Sequence, residues 1–303
     1  MKFFFTGGTG FIGNTLVSHL LNEGHEITLL VFPGRKVSNT HRHLTIIEGN
    51  PAEPGRWQED AATHQVIINL AGTPIFQRWN SRVKKAIYDS RILTTRNIVA
   101  ALGKSKGEKI HLFSTSGIGY YGYHQDAVFN EESPPGDSFL AHLAVDWEAE
   151  ALKACTLGAR VVLCRFGIVL GKQGGAFKRS VPLFKLHLGG SWGNGEQWFS
   201  WIHERDVIDS FLFLLAHREI DGPVNFTAPN PVRNREMVTA FNKTLGKRSA
   251  IQAIPRFVIQ GLLGEFSEVF LKGQRVVPGK LLQHGYHFQF PTLENSLEDL
   301  LNH

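Results

Sequence analysis

The chain has 303 residues, 42% of them hydrophobic, and a net charge of +5. This is ample material for one large domain or two, and because the basic residues are scattered with no run of five, a nucleic-acid surface is not expected. No apolar run reaches the roughly 18 residues of a membrane span, the N-terminus enters a strand without a basic leader, and two cysteines make no disulfide framework.

A cytoplasmic protein of small molecules, with no membrane partner, is therefore expected. No metal is expected either: His41 and His43 lie two apart with no acidic or thiol cluster beside them. The first element is an apolar strand over 2–5 that runs into Thr6, Gly7, Gly8, Thr9, Gly10, Phe11, Ile12 and Gly13, and from there Ile12, Leu16, Val17, Leu20 and Leu21 recur at helical spacing. Strand, glycine turn and helix in that order form a dinucleotide cradle. Gly7 makes the tight turn, Gly10 lets backbone approach a pyrophosphate, and Gly13 lets helix pack on strand. Cofactor contacts are expected from Gly7, Thr9, Gly10, Phe11, Ile12 and Gly13, with the first N–H groups of the helix facing the phosphates.

The second strand, 27–32, is followed by Pro33, Gly34, Arg35 and Lys36, with no acid. An NAD site places a carboxylate there for the ribose hydroxyl, whereas an NADP site needs a cation for the 2′-phosphate. NADP (NADPH) is favoured, with Arg35 as the clamp; the alternative is that Arg35 and Lys36 are solvated turn charges. Further near-continuous apolar strands at 44–47, 66–70, 110–114 and 161–166 alternate with helical stretches at 81–102 and 138–156. The pattern predicts an α/β fold, a Rossmann-type doubly wound parallel sheet with ligands beyond the carboxyl ends of its strands.

From about residue 171 glycine pairs mark loops between helical patterns at 177–188, 206–217, 236–245 and 256–271, with a short strand at 224–226. This divides the chain into a dinucleotide-binding domain over 1–170, with a strand and helix returning at about 200–230, and a smaller, mostly substrate-side subdomain over 171–303. Asp206 is the expected N-cap of the helix it opens. Arg91 on the 81–102 helix is a candidate to face the cleft, and Trp79, Trp192, Trp198 and Trp201 either stack on a ligand or pack.

Beyond the glycine turn, several short motifs follow in order: Asn69-Leu70-Ala71-Gly72, Ser114-Thr115-Ser116, Tyr120-Tyr121-Gly122, Asp146-Trp147-Glu148, Arg165-Phe166-Gly167, Trp201-Ile202-His203 and Ala228-Pro229-Asn230-Pro231-Val232. With these the whole chain resembles the atypical extended short-chain dehydrogenase/reductase family, in its branch of putative NAD(P)-dependent sugar-nucleotide epimerases. Gly264-Glu265 and residues 273–278 look like that branch's small C-terminal domain of unknown function. The resemblance implies that Leu70, Ala71 and Gly72 bring backbone alongside the cofactor. It also implies that Ser114 and Ser116 end the strand carrying catalytic or binding hydroxyls, and that Phe166 and Gly167 pass the nicotinamide.

One part of the family pattern is missing. Its proton chemistry rests on a tyrosine four residues before a lysine on one helix, and none of the five tyrosines here has that partner. Alignment on Trp147-Glu148 puts Leu140 at the tyrosine position and Ala144 at the lysine position. Tyr121 is then the first candidate proton donor and Ser116 the second, each with a packing or loop-holding alternative. The expected protein is an NADP(H)-binding oxidoreductase or epimerase-like enzyme of a small polar carbonyl or nucleotide-sugar-like substrate. The alternative is a cofactor-binding sensor or scaffold without catalysis, and either is a monomer or a homodimer.

Overall fold

The computed structural model describes residues 1–37, 39–105 and 110–302. Its centre is a seven-stranded sheet containing β1 (Lys2–Thr6), β2 (Glu26–Val31), β3 (Leu44–Glu48), β4 (Val66–Asn69) and β5 (His111–Gly117). After a short strand β6 (Val128–Phe129) outside it, β7 (Arg160–Phe166) and the edge strand Gly222–Phe226 complete the sheet. All seven strands are parallel, in the spatial order Gly222–Phe226, β7, β5, β4, β1, β2, β3. The order reverses between β1 and β4, the switch point beyond which such sheets bind ligands.

Helices α1 (Phe11–Asn22), α2 (Trp57–Ala61), α3 (Ser81–Leu102), α4 (Phe139–Leu152), α5 (Gly175–Lys185), α6 (Glu204–Ala216) and α7 (Asn234–Thr244) cover the sheet and its carboxyl end. The residues of β1 show why its run is continuously apolar. Phe3 and Phe5 pack with Leu16, Leu20 and Phe211 on one face, and Phe4 with Ile98, Leu112 and Ala151 on the other. A third core unites α5, α7 and the last helix, Leu293–Asn302, around Trp201 and Phe241. Trp201 is thus a core residue, with its indole N–H donating to the Asn230 carbonyl.

Three sequence expectations change. The helix expected to open at Asp206 begins at Glu204, capped by His203, whose Nδ1 accepts from the Arg205 N–H. The Asp206 carboxylate instead accepts from the backbone N–H groups of Gln289 (2.8 Å) and Phe290 (3.0 Å), tying down the C-terminal segment. The pattern over 256–271 breaks at Gly264, which takes φ 59°, separating helix Arg256–Leu263 from the short helix Glu268–Leu271. Finally α4 stops at Leu152 and continues only as a 3-10 turn over Lys153–Leu157, ended by Gly158 at φ 80°. Among the described residues, no helix is long and apolar enough to cross a membrane.

Candidate cofactor and substrate site

The glycine turn is shaped by what side chains would strike. Gly7 has φ 73°, and a Cβ on it would lie 2.5 Å from the Leu70 carbonyl carbon and 2.6 Å from the Ala71 nitrogen. The turn is therefore pressed against the chain leaving β4, and a Cβ on Gly13 would lie 2.5 Å from the Gly7 oxygen. Gly10 differs. It is the N-cap of α1 in ordinary extended geometry, and the nearest atom to a Cβ there is the Gly7 oxygen at 3.1 Å. No side chain caps α1 and no acid lies in its first turn, so its leading N–H groups are open to an anion. Thr9, Phe11 and Ile12 complete this turn and helix start, which fit the pyrophosphate of a dinucleotide.

Below the turn, Asn69 ties four elements together. Its Oδ1 accepts from the Thr6 hydroxyl (2.7 Å), its amide donates to the Thr95 hydroxyl (3.0 Å), and Thr95 in turn accepts from the Trp147 indole N–H (2.8 Å). β1, β4, α3 and α4 are so held in register beneath the site.

Beside the turn lies a cavity of about 360 Å³, walled by the start of α1, the ends of β5 and β7, and one face of α4. Ser116, Phe166 and Gly167 are on its wall, as are Phe11 and Ile12. Leu140, Leu143, Ala144 and Trp147 line it from α4, at spacings that put them on one helix face. Both positions aligned with the family's tyrosine and lysine thus face the cavity, carrying Leu and Ala. Ser114 does not reach the wall: it lies deeper in β5, 1% exposed, with its hydroxyl enclosed.

Tyr121, the first candidate proton donor, is absent from the cavity wall and 3% exposed, stacked on Phe129, the packing alternative for this residue. Its hydroxyl donates to Asn225 Oδ1 (2.7 Å) and accepts from Arg165 Nη1 (2.9 Å), and burial pushes it up to about 12. A phenol so bonded and so weakly acidic is a structural member of a buried chain. Tyr121→Phe is expected to cost about 1 kcal/mol of stability, read by denaturant unfolding, with cofactor affinity unchanged.

That chain begins at the cavity. Ser116 Oγ donates to Glu148 Oε1 (2.6 Å), and Glu148 is gripped in bidentate fashion by Arg165 at 2.8 and 2.7 Å. Burial would depress Arg165, but its bonds to Glu148 override this and raise it. The Arg165 guanidinium also lies 3.5 Å over the Tyr120 ring. Sequence reasoning placed Glu148 and Arg165 only inside motifs and missed Asn225. The available signal was acids in a largely apolar helix and arginines in a largely apolar strand, which need a buried partner wherever they face inward.

At the outer end of β2, Arg35 is exposed in the turn and lies outside the cavity wall. The structure brings a carboxylate to the same place, because β3 pairs Glu48 with Val31 and Glu48 Oε1 accepts from the Gly34 N–H (3.1 Å).

The profile of the NAD dependent epimerase/dehydratase family matches residues 4–226, spanning the whole sheet. The chain belongs to this family. A second profile, a domain of unknown function (DUF1731), matches residues 254–300. Among relatives, the Arabidopsis thaliana protein named "Epimerase family protein SDR39U1 homolog, chloroplastic" is 37% identical over 98% of this chain and 85% of its own length. Epimerase family protein YfhF of Bacillus subtilis is 35% identical over 99% and 98%. The crystal structure of human epimerase family protein SDR39U1 (isoform 2) with NADPH superposes with a TM-score of 0.86 at 32% identity, covering 100% of this chain and 99% of that one. Within the epimerase/dehydratase family, then, this chain carries the cradle and the sheet with an apolar face where the tyrosine and lysine belong.

Proposed function

We propose that the chain is an NADP(H)-dependent oxidoreductase that interconverts an alcohol and a carbonyl on an apolar substrate. The observation that carries this reading is one continuous site: an open, uncapped glycine cradle leading past Phe166 and Gly167 into a chamber whose α4 wall is Leu140, Leu143, Ala144 and Trp147. The α4 face suits an apolar carbonyl compound better than the small polar or nucleotide-sugar-like substrate expected from sequence, while Arg91, Ser200, Lys272 and Gln274 give the rest of the lining polar groups for the carbonyl end. The NADPH in the human relative supports the cofactor assignment.

When bound, the cofactor supplies or accepts the hydride. The chain's own residues do the rest. Gly7, Gly10 and the start of α1 hold the pyrophosphate, Leu70, Ala71 and Gly72 flank it, and Arg35 pairs with the 2′-phosphate. Ser116 donates to Glu148 and therefore presents lone pairs to the cavity, where it orients a substrate hydroxyl; on oxidation the substrate's hydroxyl proton passes to Ser116 Oγ while the Ser116 proton passes to Glu148 Oε1, and reduction returns both along the same path. Arg35→Ala is expected to weaken NADPH binding by about 1 to 3 kcal/mol and leave NADH unchanged, since it removes a bond to a group found only on NADPH. Parallel calorimetric titrations check this; equal loss for both cofactors would discard the clamp.

The whole reading is tested by titrating nucleotide-stripped protein with NADPH and NADH, then following NADPH oxidation against a panel of apolar ketones and aldehydes. Binding of neither cofactor overturns it. A second reading, a cofactor-binding sensor, draws on the absence of an acid at Leu140 and Ala144, and is favoured if NADPH binds tightly and no carbonyl is turned over.

A further inference from the structure

Position 144 lacks the family's lysine, yet the cavity has not lost its cation. Arg91, on α3, lines the same wall as Ala144, and its guanidinium lies 5.2 Å over the ring of Trp147, about one turn further along α4. Its Nη1 donates to the carbonyls of Thr73 and Ile87, both at 3.0 Å, which fixes the side chain. Among the described residues, neither Nε nor Nη2 has an acceptor, and no carboxylate pairs with the group. A half-buried guanidinium on a cavity wall, with donors to spare and no counter-ion among the described residues, is an incomplete arrangement. Burial lowers it to about 10, so it stays protonated near neutral pH.

Its location indicates what completes it. A Cβ on Gly72 would lie 3.1 Å from the Arg91 guanidinium carbon. Arg91 therefore backs directly onto the segment after β4 whose Leu70 and Ala71 touch the glycine turn, between the cradle and the apolar chamber. The half of a dinucleotide that reaches from cradle to chamber is the nicotinamide-ribose half, rich in oxygen acceptors. Ala144 fits the same logic, because a lysine there would add a further positive charge to a lining that already carries Arg91 and Lys272.

We propose that Arg91 binds the nicotinamide-ribose half of NADP(H) through its free N–H groups, a cation delivered from α3 instead of from position 144 on α4. This rests on the cofactor reading above, and the test separates the two. The probes are NADPH and 2′,5′-ADP, which has the adenosine half alone, titrated into wild type, Arg91→Met, Arg91→Lys and the double variant Arg91→Met with Ala144→Lys. Methionine keeps a long side chain against Trp147 without the charge, and thermal unfolding of each variant monitors the fold.

Arg91→Met should lose about tenfold to a hundredfold in NADPH affinity and bind 2′,5′-ADP as wild type does. Arg91→Lys should retain most of the affinity, and Ala144→Lys should restore part of it to the methionine variant. Unchanged NADPH affinity in Arg91→Met, or the same loss for NADPH and 2′,5′-ADP, overturns the role of Arg91. Failure of the wild type to bind 2′,5′-ADP overturns the cofactor reading itself and the proposal with it.

Discussion

Gly10→Val is expected to abolish binding of NADPH and NADH alike while the protein remains folded. The three cradle glycines are not equivalent, and Gly10 is the one whose substitution reports on the ligand. Its φ of −76° suits an L-residue, and a Cβ there meets only the Gly7 oxygen at 3.1 Å, a contact that a shift of a few tenths of an ångström relieves. The remaining branches of valine project over the open N–H groups of α1, where the pyrophosphate would sit. An affinity loss greater than about a hundredfold is expected for both cofactors, measured by calorimetry beside a thermal unfolding curve close to wild type. By contrast, Gly13→Val meets backbone at 2.5 Å and Gly7→Val combines φ 73° with a 2.5 Å clash, so both should compromise the fold itself. Normal cofactor affinity in Gly10→Val would remove the turn from the site.

Glu148→Ala is expected to cost about 3 to 5 kcal/mol of stability, the scale for breaking one side of a buried ion pair. Arg165 is 3% exposed and loses the only carboxylate paired with it among the described residues, while Ser116 loses the acceptor for its hydroxyl. The guanidinium would keep its bond to Tyr121 and its place over the Tyr120 ring, neither of which neutralises a buried charge. Urea unfolding of the variant measures the loss, and Glu148→Gln, which retains an acceptor but no charge, should fall between the two. An exposed pair such as Lys85 with Asp89 on α3 should contribute little by the same measurement, because water already solvates both groups. A loss below about 1 kcal/mol in Glu148→Ala would show that water enters to solvate Arg165.

The two substitutions address different layers of the molecule. Gly10 acts where the chain meets its ligand, whereas Glu148 acts where α4 meets β7 behind the cavity. Ser116 joins them, with one face on the cavity and its proton on Glu148.

Much of this was written locally in the chain. The order of strand, glycine turn and helix, and the strands buried on both faces, follow from short-range steric and hydrophobic patterns, so residues 1–170 announce a parallel sheet and a dinucleotide cradle. The same holds for the missing tyrosine and lysine, since residues four apart on one helix necessarily share a face, and Leu140 and Ala144 do face the cavity. What tertiary structure alone decided are pairings between distant residues. Short strands such as Ile168–Leu170 with Trp201–His203 exist only because packing brings them together, and no local periodicity marks two or three residues. Tyr121 looks like a free phenol just after β5 until Asn225, 104 residues away, accepts its hydrogen bond. Asp206 looks like a cap until the backbone at 289–290 folds onto it. Arg91 is a candidate to face the cleft from its helix alone, but that it stands over Trp147 and beside an alanine instead of an acid depends on how α4 packs against α3. Backbone form follows from neighbours in sequence, but the protonation, partner and exposure of a polar side chain depend on which distant groups share its enclosure, and only the folded chain selects those.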